Sequence, residues 1–259
     1  MRLDQYLVKK GYMSTRSRAQ DAIKEGCVSV NDKTVTKNSF DVVDTDTISV
    51  ISNDIAFASR AGYKLYDVLE PFQIQLKDRI CIDVGASTGG FSDVCLQQDA
   101  AYVYAVDVGK DQLLQRLKDD PRIVNMESTN CRYLQRSMFS KPIDFACMDV
   151  SFISIKLILP ALFKIMEHVE IVALIKPQFE AGKQFIGKNG IVKDEKVHIQ
   201  VLKDMVDFVH EQGYYVKNLC ASSILGRDGN KEFVMHIVSE PCQHVFVYRD
   251  IVKHYEVKR

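Results

Sequence analysis

The sequence predicts an α/β protein: a large doubly wound domain built on a parallel sheet, preceded by a small α+β module. From residue 59 onward, short apolar runs of strand length alternate with segments of helical periodicity, which is the pattern of repeated β-α-β units. Five of these runs end in small or polar residues. Since the carboxyl ends of parallel strands meet at one edge of a sheet, we expect a ligand site at that edge.

A glycine-rich turn follows the first of these runs. Ile80–Val84 leads into the stretch 85–91, which carries three glycines, and then into a helical pattern. Glycines let the backbone turn sharply and approach a ligand closely, and a helix start favours an anionic group. The stretch matches neither the G-x-G-x-x-G pattern nor a phosphate-binding loop. The second run ends at Asp107, a carboxylate placed to accept hydrogen bonds from a ribose hydroxyl pair.

These features indicate a nucleotide cofactor. The alternative is that the glycines only shape an α/β turn. The combination of Asp83, Gly85 and a downstream ribose acid resembles the S-adenosylmethionine (SAM) site of doubly wound methyltransferases. That resemblance implies a Rossmann-like methyltransferase domain with SAM as its cofactor. The cofactor-binding residues that it implies are Asp83, Gly85, Ser87, Thr88, Gly89, Gly90, Phe91 and Asp107.

Composition narrows the class of protein. No apolar run approaches the length of about 20 residues that crosses a bilayer, and the N-terminus has no apolar signal core. The seven cysteines are odd in number and never form a C-x-x-C pair, so neither a disulfide framework nor a metal site is predicted. Cys81 and Cys147 fall in apparent core strands and are expected to be buried thiols. We therefore expect a cytoplasmic protein that holds no metal and does not enter membranes.

The N-terminal segment is locally basic, although the whole chain has 34 Lys and Arg against 34 Asp and Glu. In residues 1–40, eight cations face four acids, a net charge of +4. Apolar spacing predicts two short helices, and an alternating run before Asn31 predicts a β-hairpin. A charge run is usually a solvated face. However, the stretches 2–7, 14–19 and 23–35 resemble the S4 RNA-binding domain, which implies RNA contacts from Arg2, Arg16, Arg18 and Lys24.

These patterns divide the chain into four parts. The S4-like domain is expected at residues 1–52, a linker at 53–58 and the methyltransferase domain at 59–240. Residues 241–259 form a C-terminal extension to which the sequence assigns no role. The oligomeric state is not predicted either.

Four polar residues fall at strand or helix positions around the expected cofactor: Lys64, Asp149, Lys176 and Glu232. Their motifs lie at residues 59–65, 83–91, 149–152, 174–180 and 229–233. Together these motifs resemble the TlyA (hemolysin A) family, which joins an S4 domain to an FtsJ-type ribose 2′-O-methyltransferase. The Lys-Asp-Lys-Glu tetrad of FtsJ-type enzymes carries over onto these four positions, which the resemblance makes the catalytic residues.

The chemistry of a ribose hydroxyl fits such a tetrad. A 2′-hydroxyl is weakly acidic and therefore a poor nucleophile, so the enzyme must remove or loosen its proton. A lysine beside another cation has a lowered pKa and can act as a base. We therefore interpret Lys176 as the base and Lys64 as the cation that stabilises the developing alkoxide, with Asp149 and Glu232 orienting both lysines. The alternative is an ion-pair network without catalytic function.

Three other functions remain open. A methyltransferase that acts on a base or on protein commonly has an Asn-Pro-Pro-Tyr-like turn or a cysteine after the fourth strand, and the segment 149–152 is neither. A membrane-active hemolysin has no support from a signal peptide or a spanning run. An RNA-binding assembly factor without catalysis is opposed only by the intact tetrad. The family resemblance implies ribosomal RNA or a ribosomal subunit as partner and a cytidine as target.

Overall fold

The fold is taken from a computed structural model of the chain. Its backbone forms two compact units, Met1–Ala56 and Phe57–Arg259, which are described separately. The predicted linker at 53–58 falls largely on residues outside the described ranges, so the domain boundaries stay predictions. The structure describes residues 1–13, 16–24, 28–31, 33–50, 57–187, 190–226 and 229–253, without the side chains of residues 17, 18, 21 and 24.

The first unit is a small α+β module, as the sequence predicts. Its elements are α1 Leu3–Lys9, α2 Arg16–Lys24, β1 Val28–Val30, β2 Lys33–Thr34 and β3 Ile48–Val50. The strands form an antiparallel sheet in the order β2-β1-β3. Leu3 and Leu7 are four residues apart on α1, so both face the sheet and are fully buried with Ile23 of α2. The residues on either side of α2, 14–15 and 25–27, lie outside the described ranges.

The second unit is a seven-stranded sheet with helices on both faces. Helices α3 and α4 cover one face, and α6 and α8 cover the other. The elements are α3 Ala61–Leu69, β4 Ile80–Val84, α4 Gly90–Gln97, β5 Tyr102–Val106, α5 Gln115–Lys118, β6 Ile123–Met126, β7 Phe145–Met148, α6 Leu159–Ile165, β8 Glu170–Ile175, α7 Pro177–Glu180, α8 Glu195–Glu211, β9 Tyr215–Ala221, β10 Phe233–Val238 and α9 Tyr248–Lys253.

The strand order is β6-β5-β4-β7-β8-β10-β9, which confirms the doubly wound arrangement. The strands β4 to β8 pair in parallel, whereas β10 is antiparallel to both of its neighbours. No helix crosses between β9 and β10 in the described chain, so β10 returns beside β9 as the second strand of a hairpin. Phe233 pairs with Ile175. This register brings the residue before β10 to the carboxyl end of β8.

The central strands are buried on both faces, which is why they read as continuous apolar runs. Along β4, Ile82 packs into one core layer and Cys81 into the other. Cys81 and Cys147 are fully buried. Their prediction as buried thiols is therefore confirmed.

Two details of the second unit come from the structure alone. Ile155–Leu157 is a 3₁₀ turn, and Pro160 lies in the first turn of α6. A proline needs no hydrogen-bond acceptor there, so it begins the helix instead of bending it. The C-terminal extension also contributes to the core, because Val252 of α9 is fully buried in the same layer as α8.

Candidate active site

Four charged side chains from different elements meet at the carboxyl edge of the sheet. Lys64 lies in α3, Asp149 follows β7, Lys176 follows β8 and Glu232 precedes β10. The Nζ of Lys64 is 2.6 Å from Glu232 Oε2 and 3.4 Å from Asp149 Oδ2. The Nζ of Lys176 is 2.5 Å from Asp149 Oδ1. The predicted tetrad is therefore one cluster, in which Asp149 lies between the two ammonium groups.

The cluster is buried and its formal charges balance. The four side chains are between 3% and 12% exposed. Burial disfavours the ammonium of Lys64, but the charges of Asp149 and Glu232 outweigh it and raise the pKa of Lys64. Burial also acts against the Asp149 carboxylate, but the two lysines outweigh it and hold the pKa of Asp149 below its ordinary value. Lys64 is thus kept as an ammonium and Asp149 as a carboxylate at neutral pH.

The glycine-rich turn and Asp107 lie at the same edge. Asp107, which follows β5, is 8% exposed. Its Oδ2 accepts a hydrogen bond from the N–H of Ser87 at 2.8 Å, and its Oδ1 accepts one from the N–H of Gly109 at 2.6 Å. Each carboxylate oxygen has a second lone pair, so both remain able to accept from a ribose hydroxyl. The residues present therefore fit the ribose of SAM.

The glycines of the turn are required by packing within the protein. Gly85 has a φ of +88°, and a Cβ there would lie 2.6 Å from the carbonyl oxygen of Asp149. The backbone of the turn can therefore approach the end of β7, which carries a residue of the tetrad. A Cβ at Gly90 would meet the hydroxyl of Ser59. Cofactor contacts of Gly85, Thr88, Gly89 and Gly90 stay predictions.

Asp83 and Phe91, two further predicted cofactor residues, are directed into the protein. Asp83 Oδ2 accepts hydrogen bonds from the N–H and the hydroxyl of Ser92, both at 2.7 Å, and so ties β4 to α4. Burial raises the pKa of Asp83 to about 7, against the effect of those hydrogen bonds. Phe91 is 2% exposed and packs in the core. In the structure both residues fix the shape of the turn, and their contact with SAM stays a prediction.

The structure adds residues that the sequence did not single out. Phe152, after Asp149, is 91% exposed and has a φ of +65°. A bulky side chain in this left-handed region costs roughly 1 to 2 kcal/mol. Its ring lies 5.2 Å from that of Phe179, between centroids, and the hydroxyl of Ser151 accepts a hydrogen bond from Lys176 at 3.0 Å. Phe152 and Phe179 each lie in a sequence motif, three residues after Asp149 and three residues after Lys176. The exposure and the positive φ of Phe152 leave no signal in the sequence.

In the first unit, the predicted RNA-binding arginines converge on one acid. Asp4 is fully buried and accepts hydrogen bonds from Arg2 Nε at 3.0 Å, Arg16 Nε at 2.9 Å and Gln20 Nε2 at 2.8 Å. The hydrogen bond from Arg2, followed by those of Gln20 and Arg16, holds the pKa of Asp4 well below its ordinary value despite burial. The arginine side chains are still 42% and 52% exposed. The side chains of Arg18 and Lys24 lie outside the described residues.

Both units of the chain match known protein families. The FtsJ-like methyltransferase family model matches residues 57–238, and the S4 domain model matches residues 1–48. Hemolysin A of Brachyspira hyodysenteriae is 42% identical, over 92% of this chain and 100% of that protein. The 16S/23S rRNA (cytidine-2′-O)-methyltransferase TlyA of Mycobacterium tuberculosis is 37% identical, over 90% of this chain and 88% of its own length. A solved candidate hemolysin from Streptococcus thermophilus superimposes with a TM-score of 0.79 at 39% identity, covering 98% of this chain and 95% of that one.

The doubly wound sheet, the glycine turn with Asp107 and the FtsJ-like match define the class of protein: a SAM-dependent methyltransferase. Within that class, the chain belongs to the TlyA (hemolysin A) family, in which an S4 domain is joined to an FtsJ-like domain. Among the residues that the structure describes, no helix is long and apolar enough to cross a membrane. Nor do the described His, Cys, Asp and Glu side chains form a group of three or more that could hold a metal ion.

Proposed function

We propose that this protein transfers the methyl group of SAM to the 2′-hydroxyl of a cytidine in ribosomal RNA. The observation that carries the proposal is the buried cluster of Lys64, Asp149, Lys176 and Glu232 at the sheet edge that holds the glycine turn. The target is supported by the relative in Mycobacterium tuberculosis, which is named as an rRNA (cytidine-2′-O)-methyltransferase. We place the reaction in the cytoplasm, on ribosomal RNA or a ribosomal subunit.

The geometry suggests different tasks for the two lysines. When bound, SAM supplies a sulfonium that is already a good methyl donor, so the protein has to prepare the hydroxyl. Lys64 faces two carboxylates, which keep it as an ammonium, and its Nζ is suited to stabilise a developing alkoxide. Lys176 faces one carboxylate and the hydroxyl of Ser151. Only the neutral amine of Lys176 can accept a proton, and in that form its Nζ is our candidate to take the proton of the 2′-hydroxyl as the oxygen gains the methyl group.

Two further features suit an RNA substrate. The exposed ring of Phe152, beside Phe179, offers an apolar face next to the tetrad, and unpaired RNA bases stack on such aromatic side chains. In the first unit, Arg2 and Arg16 present guanidinium groups that are fixed by Asp4 and half exposed. Fixed guanidinium groups with free N–H donors are suited to phosphate oxygens.

Mapping of ribosomal RNA tests the proposal. RNA from cells that lack the protein, and from the same cells supplied with the wild type or Lys176→Arg, is digested and analysed by mass spectrometry. We expect one or more 2′-O-methylcytidines with the wild type. Arginine cannot release a proton, so Lys176→Arg should lower the transfer rate roughly 100-fold or more. Lys183→Arg, at an exposed lysine, is the matched control and should behave as wild type.

Two outcomes would contradict parts of the proposal. A methyl group on the base, or no protein-dependent methylation of ribosomal RNA, would overturn the substrate. Near-normal transfer by Lys176→Arg would remove Lys176 from the role of base and leave positioning by the tetrad as the source of catalysis.

A further inference from the structure

Three contacts join two segments at the rim of the active site. The rim loop, residues 151–155, follows Asp149, and the α7 segment, residues 176–180, follows β8. Lys176 donates to Ser151 at 3.0 Å, and the rings of Phe152 and Phe179 lie 5.2 Å apart. The third contact is made by Glu180, at the far end of both segments.

Glu180 uses both carboxylate oxygens in this third contact. Its Oε2 accepts a hydrogen bond from the hydroxyl of Ser154 at 2.6 Å, and its Oε1 accepts one from the N–H of Ile155 at 2.9 Å. Ser154 also caps the 3₁₀ turn that begins at Ile155, by accepting from the N–H of Lys156. Burial raises the pKa of Glu180, whereas the hydrogen bonds from Ser154 and Ile155 favour its ionised form, to which hydrogen bonds are stronger. Glu180 therefore fixes the end of the rim loop in direction and in distance from α7.

The rim loop needs such a fixed end because its middle is strained and exposed. Phe152 has a positive φ and is 91% exposed, so burial of its own ring does little to hold its backbone in place. A strained backbone conformation persists only when the surrounding structure determines it. The two ends of the loop are determined, by β7 and Asp149 on one side and by Glu180 on the other.

We propose that Glu180 is a positioning residue for methyl transfer, which holds the rim loop against α7 so that Phe152 and Ser151 keep a fixed geometry beside Lys176. The expected effect of Glu180 on the rate of methyl transfer rests on the proposed function. The hydrogen bonds by which Glu180 holds the rim loop do not depend on it. Neither oxygen of Glu180 contacts the tetrad in the described structure, so Glu180 acts through the loop and not on the reacting atoms.

Glu180→Ala and Glu180→Gln separate positioning from acid–base chemistry. Glutamine is isosteric, can still accept from the N–H of Ile155, and can donate its amide to Ser154 instead of accepting. We expect Glu180→Ala to lower the single-turnover rate, at saturating SAM and ribosomal RNA, about tenfold or more, because small displacements at a reacting centre are costly. We expect Glu180→Gln to stay within about threefold of wild type. Affinity for SAM should be unchanged in both, and Glu167→Ala, an exposed glutamate before β8, is the control.

A second readout does not depend on catalysis. The chain has no tryptophan, so Phe152→Trp introduces a single fluorescent reporter in the rim loop. In that background, Glu180→Ala should lower the fluorescence anisotropy of the reporter, whereas Glu180→Gln and Glu167→Ala should leave it unchanged. Ser154→Ala should lower the rate less in the Glu180→Ala background than in the wild type, since the contact with Glu180 is already gone and only the cap on the N–H of Lys156 is lost.

Each outcome decides the inference. A wild-type rate and an unchanged reporter in Glu180→Ala would overturn it. A loss in Glu180→Gln as large as in Glu180→Ala would also overturn it, because the negative charge and not the hydrogen-bonded hold would then matter. If the wild type methylates no ribosomal RNA, the proposed function fails, and the reporter still shows whether Glu180 holds the loop.

Discussion

Two charged clusters of this protein differ in net charge and in exposure to solvent. Around Asp4, two arginines share one buried carboxylate, which leaves an excess positive charge on side chains that are 42% and 52% exposed. Around Asp149, two lysines face two carboxylates, and all four side chains are at most 12% exposed. The first cluster therefore directs charge outward, and the second balances its charge inside the protein.

The difference shows how the same residue types serve binding or chemistry. Exposed cations with spare donors attract a polyanion over a distance, and this attraction is screened by salt. Buried, balanced charges cannot attract a polyanion strongly, but in low dielectric they act strongly on a single hydroxyl placed among them. Changes in the two clusters should accordingly be separable: one set affects affinity for RNA, and the other affects rate and stability.

The largest effect is expected from Lys64→Ala. Removing this ammonium leaves Glu232 buried without its lysine and Asp149 with only Lys176. Breaking a buried pair from one side costs about 3 to 5 kcal/mol of folding free energy. Urea unfolding should show this loss, and methyl transfer should be abolished.

Adding Glu232→Gln to Lys64→Ala sharpens that test. The double variant also removes the carboxylate that Lys64 faced, so part of the unfolding free energy should return while methyl transfer stays absent. An unfolding free energy equal to wild type in Lys64→Ala would show that the tetrad is more hydrated than its burial implies.

A third charged cluster, at the opposite edge of the sheet, should affect stability alone. Burial disfavours the Glu170 carboxylate, but hydrogen bonds from His236 and Arg79 outweigh it and lower the pKa of Glu170 to about 2, from 4.5. A lowered folded-state pKa gives stability that is present above about pH 4.5 and lost as pH falls toward 2.

Glu170→Gln should therefore be less stable than wild type at neutral pH, by roughly 2 to 3 kcal/mol. The gap should close as the pH is lowered through this window, and methyl transfer at neutral pH should be little affected. Unfolding measured across pH checks the gap. A gap that stays constant down to the lowest pH would show that the ionisation of Glu170 is not its source.

Asp107→Ala should weaken SAM binding, because a ribose hydroxyl pair loses its acceptor. Hydrogen bonds to charged groups are each worth about 1.5 to 3 kcal/mol, so we expect affinity to fall about 10- to 100-fold. Calorimetry measures the change, with Lys110→Ala on the same loop as an exposed control. Unchanged affinity for SAM would remove Asp107 from the cofactor site.

The smallest effect is expected from Arg16→Gln in the exposed cluster. Arg2 and Gln20 still satisfy Asp4, so the first unit should stay folded. RNA affinity should fall several-fold at all sequences, and the slope of log affinity against log salt should decrease by about one. Arg249→Gln, an exposed arginine of α9, is the control. A salt slope equal to wild type would mean that Arg16 does not contact phosphate.

The sequence alone determined the order of strands and helices, the glycine turn and the four tetrad positions. Strand and helix periodicity is local, and the tetrad residues stand in short motifs at predicted strand or helix positions, so both could be predicted without coordinates. The bounds of Ile80–Val84 were predicted to the residue. The S4-like and FtsJ-like resemblances were confirmed by the family models.

Only the tertiary structure decided how these residues meet. The antiparallel direction of β10 brings Glu232 to the end of β8, and no local pattern encodes strand direction. Three arrangements join residues that are 12 to 85 positions apart in the chain: the place of Asp149 between two ammonium groups, the hydrogen bond of Arg16 with Asp4, and the contact of Glu180 with the rim loop. The pair of Arg2 with Asp4 is local. Such contacts depend on packing and burial, which set both the distances and the charge state of each group.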